Sequence, residues 1–148
     1  MLRPVEAHDV RFLRDMLRHA YHWRIDEDVE RPVYRYVRNW GRNGDAGVVA
    51  LEGAHAYGAA WYRLFTADEP GFGFVDESTP ELTVAVVPSH RGRGAGKELL
   101  EALLERARED GFGAVSLSTD RVQVGWYERF GFEQVAETPH AVTMRARL

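Results

Sequence analysis

A glycine-rich stretch at residues 88–97 combines residue types that can bind a negatively charged group. Gly92, Gly94 and Gly96 allow the backbone to approach a ligand closely, because no β-carbon stands in the way. The stretch lies between a predicted strand that ends at Pro88 and a predicted leucine-rich helix. Unpaired N–H groups at the front of that helix, where its dipole is positive, therefore point to the same place. Basic side chains surround it, at Arg91, Arg93 and Lys97. A pyrophosphate fits this combination of amides and positive charge.

The spacing of these glycines excludes two common phosphate-binding loops. A nucleoside-triphosphate loop ends in Gly-Lys-Ser or Gly-Lys-Thr, and a dinucleotide loop has the order Gly-x-Gly-x-x-Gly. Neither order occurs at residues 88–97. A nucleotide-binding module is therefore a weak alternative for this chain.

Residues 91–96 resemble the acyl-CoA motif Arg/Gln-x-x-Gly-x-Gly/Ala of the GNAT superfamily of N-acetyltransferases, with Arg91, Gly94 and Gly96 at its defined positions. Residues 84–88 also resemble the family's fourth strand. The resemblance implies that acetyl-CoA is the co-substrate, that amides of residues 92–97 hold its pyrophosphate, and that backbone groups of residues 84–86 pair with its pantetheine arm. The implied cofactor-binding residues are Val84, Ala85, Val86, Arg91, Gly92, Arg93, Gly94, Ala95, Gly96 and Lys97.

A second resemblance lies at residues 126–132, which match the family's Tyr-x-x-x-Gly-Phe pattern through Tyr127, Gly131 and Phe132. It implies that Tyr127 lies near the CoA sulfur. Relatives usually carry an asparagine after the fifth strand. Asp120 holds the nearest equivalent position here and is a further cofactor-binding candidate, although the interval between Asp120 and Tyr127 departs from the family pattern.

Acetyl transfer from a thioester to an amine needs a neutral amine, stabilisation of the oxyanion and a proton for the departing thiolate. We predict Tyr127 as the proton donor, because a phenol can protonate a thiolate. Glu81, at the start of the strand that meets the cofactor, is the predicted base, by resemblance to relatives in which a carboxylate there removes an amine proton directly or through water. The resemblance also implies that a backbone N–H near Val86 donates to the oxyanion. Four other residues remain open as the base: Asp76, Glu77, His55 and His90.

The spacing of apolar residues predicts a mixed α/β fold. Leu99, Leu100, Leu103 and Leu104 recur at helical spacing, whereas Val115 and its neighbours alternate as in a strand. Strands are predicted at residues 2–5, 46–51, 56–65, 81–87, 114–119, 132–136 and 141–148, and helices at 13–21, 32–40, 94–110 and 122–130. A long loop, rich in Asp, Glu, Gly and Pro, separates residues 66 and 80. The resemblance implies a mostly antiparallel sheet of about seven strands with about four helices, in which the fourth and fifth strands splay apart to admit the cofactor.

Composition narrows the protein class. The 148 residues, of which 45% are hydrophobic and 28% charged, predict a single domain over residues 1–148. A net charge of -4 argues against nucleic acid as a partner, and the absence of cysteine excludes disulfides and thiolate chemistry. No signal-like or membrane-spanning apolar run is present, so a cytoplasmic location without membrane association is expected. The histidines show no zinc motif, and no metal is predicted.

The sequence leaves the acceptor and the assembly open. The acceptor is expected to be a primary amine of a small molecule or a peptide. The acidic loop and several aromatic residues suggest a cationic one. A monomer and a homodimer are both open. The main alternative function is a non-catalytic CoA-binding or CoA-sensing domain of the same fold.

Overall fold

A computed structural model describes residues 1–24 and 33–148, and this part of the chain contains a sheet of seven strands. The strands are β1 (Leu2–Pro4), β2 (Ala46–Glu52), β3 (His55–Arg63), β4 (Glu81–Val86), β5 (Ala114–Thr119), β6 (Glu133–Glu137) and β7 (Val142–Arg147). Their order across the sheet is β1-β2-β3-β4-β5-β7-β6, and every pair is antiparallel except the parallel pair β4–β5. The predicted mixed α/β fold with a mostly antiparallel sheet is confirmed.

The α-helices of the described residues are α1 (Val10–Ala20), α2 (Ala95–Glu109) and the short α3 (Val124–Glu128). Two short 3-10 turns flank α1, at Ala7–Asp9 before it and at His22–Arg24 after it. A third, at Pro88–His90, opens the glycine-rich stretch, and a fourth, at Arg121–Gln123, leads into α3. The leucines that predicted α2 are all buried, and Gly111, with φ of 86°, adopts the left-handed conformation just after it.

The helix predicted at residues 32–40 is the clearest local difference. Pro32 lies outside the described residues. Val33 and Tyr34 are helical, but residues 35–39 form turns, so the prediction is wrong there. Asn39 has a left-handed φ of 56°, which ends the segment before residue 40, the predicted end of the helix.

Helices cover both faces of the sheet. On β3, Ala60 and Tyr62 belong to the buried cluster that includes the leucines of α2, whereas Ala59 and Trp61 belong to the cluster that includes Leu13 of α1. This alternation follows the two-residue period of a strand. Because both faces are covered, the second half of β3 is buried at every position instead of at every other one.

The fourth and fifth strands splay apart, as predicted. β4 and β5 pair at a single position, Glu81 with Ser116, next to a hydrogen bond of 3.0 Å from the Ser116 N–H to the Pro80 carbonyl. Beyond that point the strands diverge. A small cavity of about 50 Å³ lies between Thr83 on β4 and Ser118 on β5.

Candidate active site

The glycine-rich turn leaves backbone amides available at the front of α2. The first hydrogen bond of that helix runs from the Glu98 N–H to the Gly94 carbonyl at 3.1 Å, so the amides of residues 95–97 precede the first closed turn. Among the described residues, no side chain caps the helix at Gly94. Gly92 and Gly94 have φ of 79° and 81°, which other residues adopt only with strain. The turn can therefore bind an anion through its main chain.

A cavity of about 260 Å³ opens directly on these amides, with Gly92, Gly94, Gly96 and Lys97 on its wall. Arg91 also lines it, but its Nε donates to the Val86 carbonyl at 2.9 Å and so fastens the turn to β4. Arg93 is exposed and lies outside this wall. The structure thus places two of the three predicted basic residues at the cavity.

The edge of β4 that faces β5 changes from paired to open along the strand. Pro80 accepts from β5, and the Val87 N–H donates to the Tyr57 carbonyl at 2.8 Å on the other side. Because backbone groups alternate in direction along a strand, those of Val84 and Val86 face the gap, whereas those of Ala85 face β3. An extended ligand can pair with Val84 and the Val86 N–H. Ala85 contributes only its side chain to the groove wall.

A groove connects the glycine-rich turn to the gap between the strands. A second cavity, of about 420 Å³, shares Arg91, Gly96 and Trp126 with the cavity at the turn. At its other end it shares His19 and Tyr127 with the small cavity between β4 and β5. The three cavities therefore form one continuous path from the helix amides to the splayed strands.

Tyr127 lies at the inner end of this groove. The short helix α3 carries it, and its ring packs edge to face against Trp126, with ring centroids 4.9 Å apart. Burial raises the pKa of Tyr127 well above its ordinary value, and the charge of Asp120 raises it further. The phenol therefore keeps its proton at neutral pH and can act as a donor.

Asp120 caps the turn that precedes α3. Its carboxylate accepts from the Gln123 N–H at 3.1 Å and caps the 3-10 turn that leads into α3. It is absent from the walls of the three cavities. Asp120 thus positions the segment that carries Tyr127, and no contact of it supports cofactor binding.

Glu81 is buried away from the groove. The hydroxyl of Tyr36 donates to its carboxylate, and a β-carbon at Gly71 would lie only 2.8 Å from Glu81 Cδ. The loop at residues 66–80 therefore covers this carboxylate directly, and only glycine fits at position 71. Because Glu81 lines none of the three cavities, its predicted role as a base would require proton transfer through other groups.

The structure also shows where the four other candidates for the base lie. Asp76 accepts from the Ser78 N–H at 2.9 Å and Glu77 from the Ala67 N–H at 2.9 Å, so both organise the long loop. The ring of His90 stacks on Tyr57 at 4.4 Å and lines the cavity at the glycine-rich turn. His55 is exposed at the start of β3.

Comparison with known proteins fixes the family. The model of the acetyltransferase (GNAT) family matches residues 10–132, which include α1, the glycine-rich turn and Tyr127. The chain belongs to the GNAT acetyltransferase family. The resemblance inferred from the two sequence motifs is thereby confirmed.

Curated relatives of this GNAT chain include the L-methionine sulfoximine/L-methionine sulfone acetyltransferase of Pseudomonas aeruginosa. The two are 39% identical over 81 residues, which are 53% of this chain and 46% of the relative. The match thus spans about half the length of that relative.

Solved structures of GNAT proteins share the whole architecture. The ribosomal-protein-alanine N-acetyltransferase of Brucella melitensis superposes with a TM-score of 0.73 at 23% identity, covering 100% of this chain and 99% of that one. A phosphinothricin acetyltransferase from Sinorhizobium meliloti, solved in complex with AcCoA, gives 0.72 at 21% identity, covering 100% and 88%. These similarities establish the GNAT fold.

Sequence reasoning missed His19 as a site residue of this GNAT chain. The last turn of α1 places it on the walls of both the 420 Å³ cavity and the small cavity. No role in the site was assigned to His19 from the sequence. Within residues 1–24 and 33–148, no group of three or more histidines and carboxylates is arranged to hold a metal. The sequence signal that could have indicated it is a histidine in the last turn of a helix whose apolar residues pack on the sheet.

The helices of the described residues are short compared with the thickness of a membrane or carry too many polar residues to cross one. Within the two described ranges, none has both the length and the apolar character that a crossing requires.

Proposed function

We propose that this chain is an acetyl-CoA-dependent N-acetyltransferase that acts on the primary amine of a small molecule. The observation that carries the proposal is the continuous groove from the open amides of residues 95–97 to Tyr127. Membership of the GNAT family supports it. The two ends of the groove match the two ends of acetyl-CoA: a diphosphate that needs amide donors, and a thioester that needs a proton donor.

The residues of the groove suit each part of the co-substrate. The diphosphate would bind the amides of residues 92–97, with Lys97 and Arg91 nearby for charge. The pantetheine arm would pair with the open edge of β4 at Val84 and Val86, as an added strand does. The thioester would then lie near Tyr127.

The proposed reaction is direct attack within a ternary complex. The amine nitrogen forms a bond to the thioester carbonyl carbon, and the N–H of Val84, which faces the gap on the wall that holds Tyr127, donates to the oxyanion. The Val84 carbonyl and the Val86 N–H then remain for the pantetheine arm. The C–S bond then breaks. The sulfur takes a proton from the Tyr127 hydroxyl, and the amine loses one proton to a base, which gives an amide and free CoA.

The acceptor is proposed to be a small amino-acid-like amine and not a polycation. The curated relative that acts on L-methionine sulfoximine and L-methionine sulfone supports this choice. The wall of the 420 Å³ cavity carries His19, His22 and Arg91, and among the described residues it holds no Asp or Glu. A carboxylate on the acceptor suits that wall. The loop acids Asp76 and Glu77, expected to attract a cation, are instead engaged within the loop.

The test is release of free thiol from acetyl-CoA in the presence of amines. We expect L-methionine sulfoximine, L-methionine sulfone and other amino acids to release thiol faster than polyamines or peptide N-termini. CoA alone should also raise the thermal midpoint, because it binds only the folded state. Stabilisation by CoA without thiol release for any amine would contradict the enzyme and favour the non-catalytic CoA-binding alternative.

The first prediction concerns the proton donor. We expect Tyr127→Phe to lower kcat by about 100-fold with little change in the Kd of CoA, because only the hydroxyl that protonates the sulfur is lost. Steady-state kinetics and isothermal calorimetry measure the two quantities. Tyr34→Phe, at an exposed tyrosine outside the groove, is the matched control. An unchanged kcat in Tyr127→Phe would remove Tyr127 from the mechanism.

A further inference from the structure

The 420 Å³ cavity and the small cavity between the splayed strands meet at a definite place, which we call the junction. Four residues line both cavities and define it: His19, Val84, Gln123 and Tyr127. Ser118, whose buried Oγ has no hydrogen-bond partner among the described residues, lies on the wall of the small cavity beside it. A buried hydroxyl without a partner is costly unless a ligand or water satisfies it. The junction is therefore suited to a polar substrate group.

Two of the four junction residues can exchange protons, and their surroundings shift them in opposite directions. Burial lowers the pKa of His19 below its ordinary value, whereas burial raises the pKa of Tyr127. At neutral pH the imidazole is therefore largely neutral and the phenol fully protonated. Pairs of groups separated in this way commonly divide the acid and base roles of a reaction.

The charged groups around His19 favour its neutral form. Arg91 faces it from the glycine-rich turn, Arg18 from α1 and His22 from the turn after α1, and each of these lowers the pKa of His19. Asp15, also on α1, opposes them and raises it. Tyr21 and Thr83, which lie on the small cavity, hydrogen-bond each other at 2.9 Å and carry no charge.

We propose that His19 is the general base that takes the proton from the acceptor amine, a role that rests on the proposed acetyltransferase function. As the amine nitrogen forms its bond to the carbonyl carbon, one N–H proton passes to the imidazole of His19. When the C–S bond breaks, the sulfur receives the proton of the Tyr127 hydroxyl. The imidazolium and the phenolate then exchange protons with water in the open groove, which restores both residues.

The position of Glu81 supports this assignment. Its carboxylate lies behind Tyr36 and Gly71 and reaches neither cavity of the junction. A proton from an amine in the groove would need additional carriers to arrive there. His19 lies on the groove wall itself.

The experiment compares His19→Gln with the wild type, using the amine that releases thiol fastest in the screen above. We expect His19→Gln to lower kcat/KM by about 100-fold at pH 7, the lower range for loss of a general base, while the Kd of CoA stays within about twofold. In the wild type, kcat/KM should fall as the pH falls through the pKa of His19, below 6.5, because protonation removes the base form. The variant should lose that inflection. His140→Gln, at an exposed histidine outside the groove, should match the wild type.

Three results would overturn the assignment while leaving the proposed function intact. The first is that the wild type is active and His19→Gln shows the same pH profile as the wild type. Another is loss of the inflection in Glu81→Gln but not in His19→Gln. The third is a pKa of His19 at or above 7, measured by NMR titration of labelled histidines with CoA bound. A wild type that binds no CoA or releases no thiol would instead refute the proposed function.

Discussion

Replacing Gly96 with glutamate is expected to raise the Kd of CoA by about 1,000-fold, equivalent to about 4 kcal/mol, without unfolding the protein. Gly96 lies in the first turn of α2. Like Trp126, it lines both the 420 Å³ cavity and the 260 Å³ cavity of the groove. A carboxylate there would occupy the space proposed for the diphosphate and would repel its charge.

The same substitution should stabilise the protein slightly. Glutamate favours a helix more than glycine does by roughly 0.5–1 kcal/mol, and negative charge in the first turn interacts well with the helix dipole. A β-carbon at position 96 would lie 3.6 Å from Trp126 Cζ2, an ordinary contact. Lost binding together with an unchanged or raised thermal midpoint would therefore separate an effect on the site from an effect on folding.

Calorimetry with CoA measures this prediction, and Gly113→Glu is the matched control. Gly113 follows α2 at its other end, is exposed, and a β-carbon there would meet nothing within 4 Å. The control adds the same charge far from the turn and should leave the Kd unchanged. A Kd for Gly96→Glu within tenfold of the wild type would mean that the diphosphate does not lie on these amides.

The sequence was most informative where local pattern decides structure. The leucine spacing of α2, the alternation in β5 and the glycines at residues 92–96 each depend on a few neighbouring residues, and each was predicted correctly as an element. The glycine-rich turn was found for the same reason, since its chemistry lies in consecutive residues.

The rest of the site depends on contacts between distant segments, which no local pattern records. His19 reaches the groove only because α1 packs across the sheet beside β4. Glu81 was predicted as the base from its place at the start of a strand, but the loop at residues 66–80 covers its carboxylate. Gly73 lies so close to β5 that a β-carbon would be 2.7 Å from the Ser118 nitrogen. The segment at residues 35–39 departs from a helix because a residue distant in the sequence binds two of its backbone carbonyls.

That residue is Arg63, at the end of β3, whose side chain is fully buried. Its Nε and Nη2 bind the two carboxylate oxygens of Asp45 at 3.1 Å and 2.6 Å. Its Nη1 donates to the carbonyls of Arg35 at 2.9 Å and Arg38 at 2.7 Å. The guanidinium thus takes up carbonyls that a regular helix would have used itself, and it fastens the turns that carry Tyr36 to the sheet.

Because the side chains of Arg63 and Asp45 are both buried and paired with each other, Arg63→Met should cost about 3–5 kcal/mol in the free energy of unfolding. The loss removes the buried positive charge beside Asp45, whose carboxylate keeps only the N–H groups of Gly41 and Arg42, and it frees the carbonyls of residues 35 and 38. Urea unfolding followed by circular dichroism measures it. Arg38→Met is the control, since the exposed pair of Arg38 with Glu69, 3.3 Å apart, is worth at most about 1 kcal/mol. A cost below 1 kcal/mol for Arg63→Met would show that this ion pair does not hold residues 35–38 to the sheet.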